Sequence, residues 1–600
     1  MVVFKKIIPR LGAKRTIKKV QETLIGNKAR SDFLAQSGYP GQAQALMKRL
    51  HGRLNDIMPL HTGDRDLAAF GSLFNGPELM AGARLEPLAY PPAGSEFSQL
   101  WPWLSGQGAL RLARANRLTG DFMRGLIRWL EALTTHSPPL ADDYWQDNSI
   151  VATRAINLLF VIRFLDNPDK MPPQLCVDLL LHLNIMGQMM HPGLNNGAGA
   201  YERVLVACAL MYLGLSFDFL PTANAWWPQG CAAMGPALTD FQNELHSMAQ
   251  AHAALEAAGL SLWLGRKQNA PLPGLLAASR DMAIKLRAVA PPWVDERFTR
   301  QQPLLEFSQD PTPGQEANLA ALLLSDPELR GPRQSGELLF WLLGPQVKEN
   351  LRQLAGGPDP GALNINTCGL TTLSTPLAGR RLSAWLVSAP QPNSQDITRH
   401  ALALALFRQG RPLLTAPLLL DKGPLAQFTR SRSAANTMVV DGEEAQGGAV
   451  SLDGLDEQTS YLFMAASYSG YLHLPDPVML RRRVFIDKSA KLINIIDQIQ
   501  AKNQHAAVIY FHFPPGALVQ KGPKGGYLIN IYNEKWWFKS EARAQTSLVS
   551  GQATPPLGWT VGPEKSLLPS PTICVSIQTI GSARLSCSLV LIEQEAEKAV

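Results

Sequence analysis

RRRVFIDKSAKLINIIDQI (481–499) shows how the C-terminal half of the chain is built. It alternates polar and apolar residues and is rich in Val and Ile, the pattern of short strands with one buried face. On such a strand Arg481 and Arg483 share a face while Arg482 points to the other. The same pattern runs through GRRLSAWLVSAP (379–390), TMVVDG (437–442), YLFMAASYSGYLHL (461–474), AAVIYFHFPP (506–515) and LSCSLVLIEQ (585–594). Asp, Gly, Pro and Ser turns separate these stretches. Short strands without helical patterns between them predict an antiparallel β-sandwich over 336–600.

Upstream the period changes. LRLARANRLTGDFMRGLIRWLEAL (110–133) and VATRAINLLFVIRFLDN (151–167) place apolar residues at intervals of three and four, as amphipathic helices do. LCVDLLLHLNIMGQMM (175–190) and ERVLVACALMYLGLSF (202–217) are apolar nearly all round, as expected of buried helices. LTDFQNELHSMAQAHAALEAAGLSLWLG (238–265) and PGLLAASRDMAIKLRAVA (273–290) continue the series, with Pro/Gly breaks between helices. Repeated helical hairpins over 32–300 predict an α/α toroid-like domain. The Pro-rich stretch 301–335 reads as a linker and 1–31 as a basic extension.

Composition narrows the class. Six hundred residues exceed one ordinary core, and 46% hydrophobic with 18% charged residues marks a globular chain. Six cysteines without a CxxC argue against a disulfide scaffold or a zinc ribbon. The formal charge of +7 is local: residues 1–30 carry nine Lys and Arg and one acid, Glu22. The remainder is close to neutral, which argues against a nucleic-acid binder. The longest apolar run, Val204 to Phe217, is too short to span a bilayer. The N-terminal segment mixes charges through its apolar residues, unlike a secretory signal, so a cytoplasmic location is the expectation. That segment could rest on an anionic membrane at the inner face or on an acidic partner.

Local motifs then point to a family. FTRSRSAANTMVVDGEEAQ (428–446) resembles the heparinase II/III stretch in which an Arg-Ser-Thr-like run leads into Ala-His-Asn-Thr and Val-Asp-Gly. Ser469-Gly470-Tyr471, the Arg481–Arg483 run with VFID, NIIDQI and FHFPP (511–515) fit the same pattern. Trp101-Pro102-Trp103-Leu104, Arg154-Ala155-Ile156-Asn157 and ALMYLGLSF (209–217) look like that family's helices. The resemblance implies β-elimination across a uronic acid linkage of an acidic polysaccharide. A base takes the proton on carbon 5, an acid protonates the leaving oxygen, and a polar group neutralises the carboxylate. Some members also hold a zinc with two His and an Asp.

Against that pattern the family's groups are largely replaced. The His-x-His-Ala-Asp stretch lines up with Thr398, His400 and Leu402, the next expected Asp with Ala416, and the His of Ala-His-Asn-Thr with Ala435. No zinc site of this type, and no other cofactor, is expected. The stretch that usually carries the catalytic Tyr maps onto LHSMAQAH (245–252), which has none. The remaining catalytic candidates are His400, Tyr201, His246 and Asn196, with His252, Tyr468 and Tyr471 as further substitutes. Asn195-Asn196-Gly197 reads equally as a turn or helix cap. Arg430, Arg432, Asn436, Arg481 and Arg483 are the candidates for gripping a uronate or sulfate, guanidinium to anion. For the 481–483 run the competing reading is a sheet edge protected by charge. Two functions follow: a lyase-like enzyme, or a lyase-fold protein that binds a glycan or serves as a scaffold in polysaccharide synthesis or export.

Overall fold

The computed structural model describes residues 27–58, 107–119, 123–136, 147–195, 198–243, 248–289, 315–326, 329, 337–354, 361–365, 369–388, 400–409, 411–415, 426–522, 525–561 and 567–592. The chain divides into two compact units, one mainly of residues 1–283 with 301–356, the other mainly of 357–600. A helical N-terminal part is followed by antiparallel sheets, the layout expected from the two periodicities.

In the helical unit the apolar runs become the helices Asn148–Phe164, Pro173–Met190 and Ala200–Ser216, buried along nearly their whole lengths. Such all-round burial is what a helix without a polar face requires. The side chain of Asp147 caps the first of them, accepting from Ser149 N at 2.9 Å and Ile150 N at 3.3 Å. The long runs 110–133 and 238–265 each break into two helices, Gln107–Thr119 with Met123–His136 and Trp226–Asn243 with Met248–Lys267. Trp226 lies on a helix and is buried against Gly187, where a Cβ would run into the indole ring. Its role is packing.

Two boundaries move. Helix Asn27–Gln36 starts inside the stretch read as a basic extension, and Arg30 forms a bidentate pair with Asp178 at 2.6 and 3.1 Å. Arg30 is therefore a structural charge; residues 1–26 lie outside the described part. Helices Glu337–Leu343 and Val347–Gln353 occupy the stretch read as the start of the sandwich and group with the helical unit. The expected linker 301–335 is described only at 315–326 and 329, where it includes helix Gln315–Leu324.

The second unit opens with a five-stranded sheet of β1 (Gly361–Ile365), β2 (Leu370–Leu377), β3 (Arg380–Val387), β4 (Leu404–Arg408) and β5 (Arg411–Leu414), paired in that order. There follow β6 (Met438–Val440), β7 (Val450–Glu457), β8 (Tyr461–Tyr471), β9 (Val478–Asp487), β10 (Leu492–Gln500), β11 (Gln504–His512), β12 (Leu518–Lys521), β13 (Tyr527–Ile531) and β14 (Glu534–Ser540). The chain ends with β15 (Gln545–Val549), β16 (Trp559–Val561), β17 (Leu567–Pro569), β18 (Thr572–Ile580) and β19 (Ala583–Ile592). An eight-stranded sheet runs β12-β13-β14-β19-β10-β9-β8-β7, and a four-stranded sheet runs β15-β18-β11-β6. One hydrophobic core joins the inner faces of the three larger sheets, with Leu404, Leu406, Tyr468, Val484, Ile495, Phe511, Trp536 and Val575 in it. Along β9 and β10 inward and outward residues alternate strictly, as the sequence pattern required. Trp536 is fully buried and Trp537 faces outward, so the pair splits between core and surface.

Candidate functional site

The stretch 428–446 forms a short helical turn at Ala426–Thr429, a 3-10 turn at Arg432–Ala434, then β6. It leaves β6 through a tight turn in which Asp441 and Gly442 have φ of 53° and 70°, the left-handed conformations that Asp-Gly accommodates. The Glu443 amide closes the turn onto Val440 O at 2.9 Å.

Arg432 is fully buried behind this stretch. Its Nε and Nη2 both donate to Met438 O at 3.1 Å, and Nη2 also donates to Thr437 Oγ1 at 2.9 Å. The guanidinium lies over the Tyr468 and Tyr471 rings, 5.1 and 5.7 Å from their centroids. The Tyr468 hydroxyl donates to Gly447 O at 2.7 Å and the Tyr471 hydroxyl to Glu443 O at 3.1 Å. Burial pushes both phenols up, and the neighbouring cation only partly offsets it. Two protonated phenols committed to carbonyls are poor bases.

Asn436 is equally enclosed. Its amide donates to Leu404 O at 2.8 Å and Thr415 O at 2.6 Å, and its Oδ1 accepts from His512 N at 2.6 Å. The His512 ring meets Ser433 O at 2.9 Å through Nε2 and Thr572 Oγ1 at 2.9 Å through Nδ1. Since a carbonyl only accepts, Nε2 carries the proton. Burial then pushes the His512 pKa down to about 4. Arg482 grips both oxygens of Asp497 at 2.7 and 2.8 Å and donates through Nη1 to Leu402 O at 2.8 Å and to Asn436 O. Its side chain is fully buried and that of Asp497 is 5% exposed.

Arg432 and Asn436 are therefore corrected from substrate-gripping residues to core residues. Arg432 Nε and Nη2 are taken by a backbone carbonyl and a hydroxyl, the Asn436 amide by two carbonyls and a backbone N–H, and neither side chain reaches solvent. His400 is buried as well, in the turn that leads into β4, where its carbonyl accepts from Ala403 N at 2.9 Å. Leu402, of φ 62°, and Ala435 are buried apolar neighbours in this region. These residue types do not fit a zinc, because Leu and Ala offer no ligand and both His512 nitrogens are occupied. Among the described residues no three His, Cys, Asp or Glu side chains come together to hold a metal ion.

The outward arginines behave differently. Arg481 Nε meets Asp453 at 2.7 Å with its side chain one-third exposed, and Arg483 shares its face of β9. Arg430 is half-buried on the helical turn. His505, missed in the sequence, bridges two carboxylates: Nδ1 to Asp441 at 2.7 Å and Nε2 to Asp476 at 2.9 Å. Burial opposes its charge, but the hydrogen bonds to Asp441 and Asp476 outweigh that and raise its pKa. Asp441 is thus more than a turn former; it also ties the turn to β11 through Ala506 N at 2.8 Å.

In the helical unit Tyr201 opens helix Ala200–Ser216, its ring 5.5 Å from that of Phe241. Burial, then the charges of Asp147 and Glu256, push its phenol up, so it stays protonated. Next to it Glu202 accepts from the Asn148 side chain. His252 is buried. His246 and Asn196 lie outside the described residues, as does Thr398. The structure thus brings Arg432, Asn436 and Arg482 into one network and leaves Tyr201 in the other unit.

Comparison with known proteins follows the same division. Residues 362–581 match the family model for the heparinase II/III-like C-terminal domain, which bears out the resemblance. A mutant of heparan sulfate lyase HepC from Pedobacter heparinus is similar in structure at 12% identity, with a TM-score of 0.59 over 94% of this chain and 91% of that one. A heparinase III is similar at 12% identity and a TM-score of 0.61, covering 95% and 92% of the two chains. Chondroitin AC lyase from Streptomyces coelicolor A3 gives 11% identity and a TM-score of 0.52, covering 92% and 83%. No curated protein matches the sequence. The chain has a heparinase-like polysaccharide lyase fold.

Proposed function

We propose that this chain binds an acidic, uronate-containing polysaccharide on a lyase scaffold without carrying out the family's elimination. One observation carries the reading: the most family-like residues, Arg432, Asn436, Tyr468, Tyr471 and Arg482, are locked in a buried network whose polar atoms serve the fold. Elimination needs an accessible base beside the sugar and a donor for its carboxylate. Here the phenols are protonated and bonded to carbonyls, and the position of the family's histidine is the buried methyl of Ala435. Tyr201, held protonated, suits a proton donor and not a base. Outward-facing guanidiniums remain, and these suit carboxylate or sulfate.

Equilibrium binding to carboxylated, sulfated and neutral polysaccharides tests the reading. Acidic chains should bind in a salt-sensitive manner and neutral ones should not. Equal binding of both, or of neither, contradicts it. The basic segment 1–30 belongs to a separate proposal, contact with an anionic membrane face or acidic partner in the cytoplasm. Vesicle binding that survives its neutralisation would remove that proposal.

A further inference from the structure

The register of the eight-stranded sheet assembles a charge cluster that the sequence does not show. Gln498 of β10 stands opposite Arg481 of β9 on one side and Arg584 of β19 on the other. These three residues therefore form one row across three strands, on the face away from the core. Arg483 lies two residues along β9 on the same face, opposite Ile496 and, across β10, level with Ser586. Strand spacing puts Arg481 and Arg584 about 10 Å apart at their backbones, and Arg481 and Arg483 about 7 Å apart.

The position of these strands matters. β9, β10 and β19 are interior to the sheet, whose edges are β12 and β7. Charge placed to protect an exposed edge explains nothing there, so the sheet-edge reading of the 481–483 run is set aside. Arg481 and Arg584 flank the uncharged Gln498, and no acidic residue stands in their row. The local balance confirms the crowding: Asp453 takes Arg481 at 2.7 Å, and among the described residues no carboxylate forms an ion pair with Arg483 or Arg584. Partial burial, then the charges of Arg481 and Arg584, lower the Arg483 pKa. Arg584 is exposed, and Gln498 adds an uncharged amide between it and Arg481, while the Ser467 and Ser586 hydroxyls are committed to Asp453 and Asn494.

We propose that this outer face of the sheet, at Arg481, Arg483 and Arg584, is a binding platform for the sulfate or carboxylate groups of an acidic polysaccharide. The inference rests on the glycan-binding reading above and gives it a location. Spacings of roughly 7 and 10 Å are on the scale of one to two sugar rings, so a polymer bearing an anion on successive sugars can meet two guanidiniums at once. Planar guanidiniums suit both sulfate and carboxylate in the bidentate mode.

The test uses the full chain and heparan sulfate as the probe, with binding followed by calorimetry across a salt series. Arg483→Gln with Arg584→Gln should weaken binding at least tenfold and flatten the salt dependence, with Tm unchanged. A comparator neutralising Lys14, Arg15, Lys18 and Lys19 to Gln should weaken it less. Wild-type affinity in the Arg483/Arg584 variant, while the comparator loses binding, would overturn the platform and leave the glycan reading standing. Failure of the wild type to bind heparan sulfate or an unsulfated uronate polymer would overturn both. Equal affinity of the wild type for duplex DNA or for phosphatidylserine vesicles, lost in the same double variant, would overturn the polysaccharide as occupant.

Discussion

Arg482 and Arg483 are neighbours on one strand, and they do opposite things. Arg482 faces the core, where Asp497 and two carbonyls take its donors. Arg483 faces outward among guanidiniums, with no ion pair to any described carboxylate. The difference is one residue of register on a pleated strand. It teaches that a motif can identify a fold while the residues that make it identifiable are structural. The inner face keeps what the lyase fold needs for stability, and the outer face carries charge that stability does not need.

The largest expected effect is on the inner face. Arg482→Met should cost about 3–5 kcal/mol, because Asp497 is left buried and uncompensated. Adding Asp497→Leu should recover most of that loss in denaturant unfolding. A cost below about 1 kcal/mol for Arg482→Met would mean that the pair is not sealed from water. Arg432→Met should follow, at about 3 kcal/mol, through the loss of charge-assisted bonds to Met438 O and Thr437. Heparan sulfate affinity of the folded variant should stay at the wild-type level; a selective loss of affinity would return Arg432 to the binding surface.

Acid should act on the same face. Folded His512 stays neutral down to about 4, whereas the unfolded chain protonates it near 6.5. The unfolded state then holds more protons, so stability falls between those two values as pH drops, by about 2–3 kcal/mol. His512→Gln should flatten that limb of the stability–pH curve. His505 has the opposite sign, its folded pKa being raised. Its contribution is complete below about 6.5 and is lost as pH rises through the folded value, so His505→Gln should erase a smaller decline on the alkaline side. Smallest of all, Arg483→Gln should change stability by no more than about 0.5 kcal/mol, since it removes crowding and no described partner.

Much of the architecture was legible in the amino acids. The change from a three-and-four period to strict alternation placed helices before sheets, and the parity of 481–483 separated Arg482 from its two neighbours. Illegible were the features that arise from long-range pairing. Nothing local says that His505 will meet Asp441 and Asp476, 64 and 29 residues away. Nor does the sequence say that Arg584 will share a row with Arg481 through Gln498. Arg432 and Asn436 misled because guanidinium and amide donors look the same whether they face a carboxylate or a buried carbonyl. Burial decides between the two, and burial is set by tertiary packing. The helices at 337–353 were missed because they are only seven residues each, too short for a period to show.

Incubation of the wild-type protein with heparan sulfate, followed by ultraviolet absorbance of the unsaturated uronate that elimination creates, separates binding from catalysis. The buried network predicts a flat trace under conditions where calorimetry shows the polysaccharide bound. A steady rise in absorbance that scales with protein concentration would contradict it.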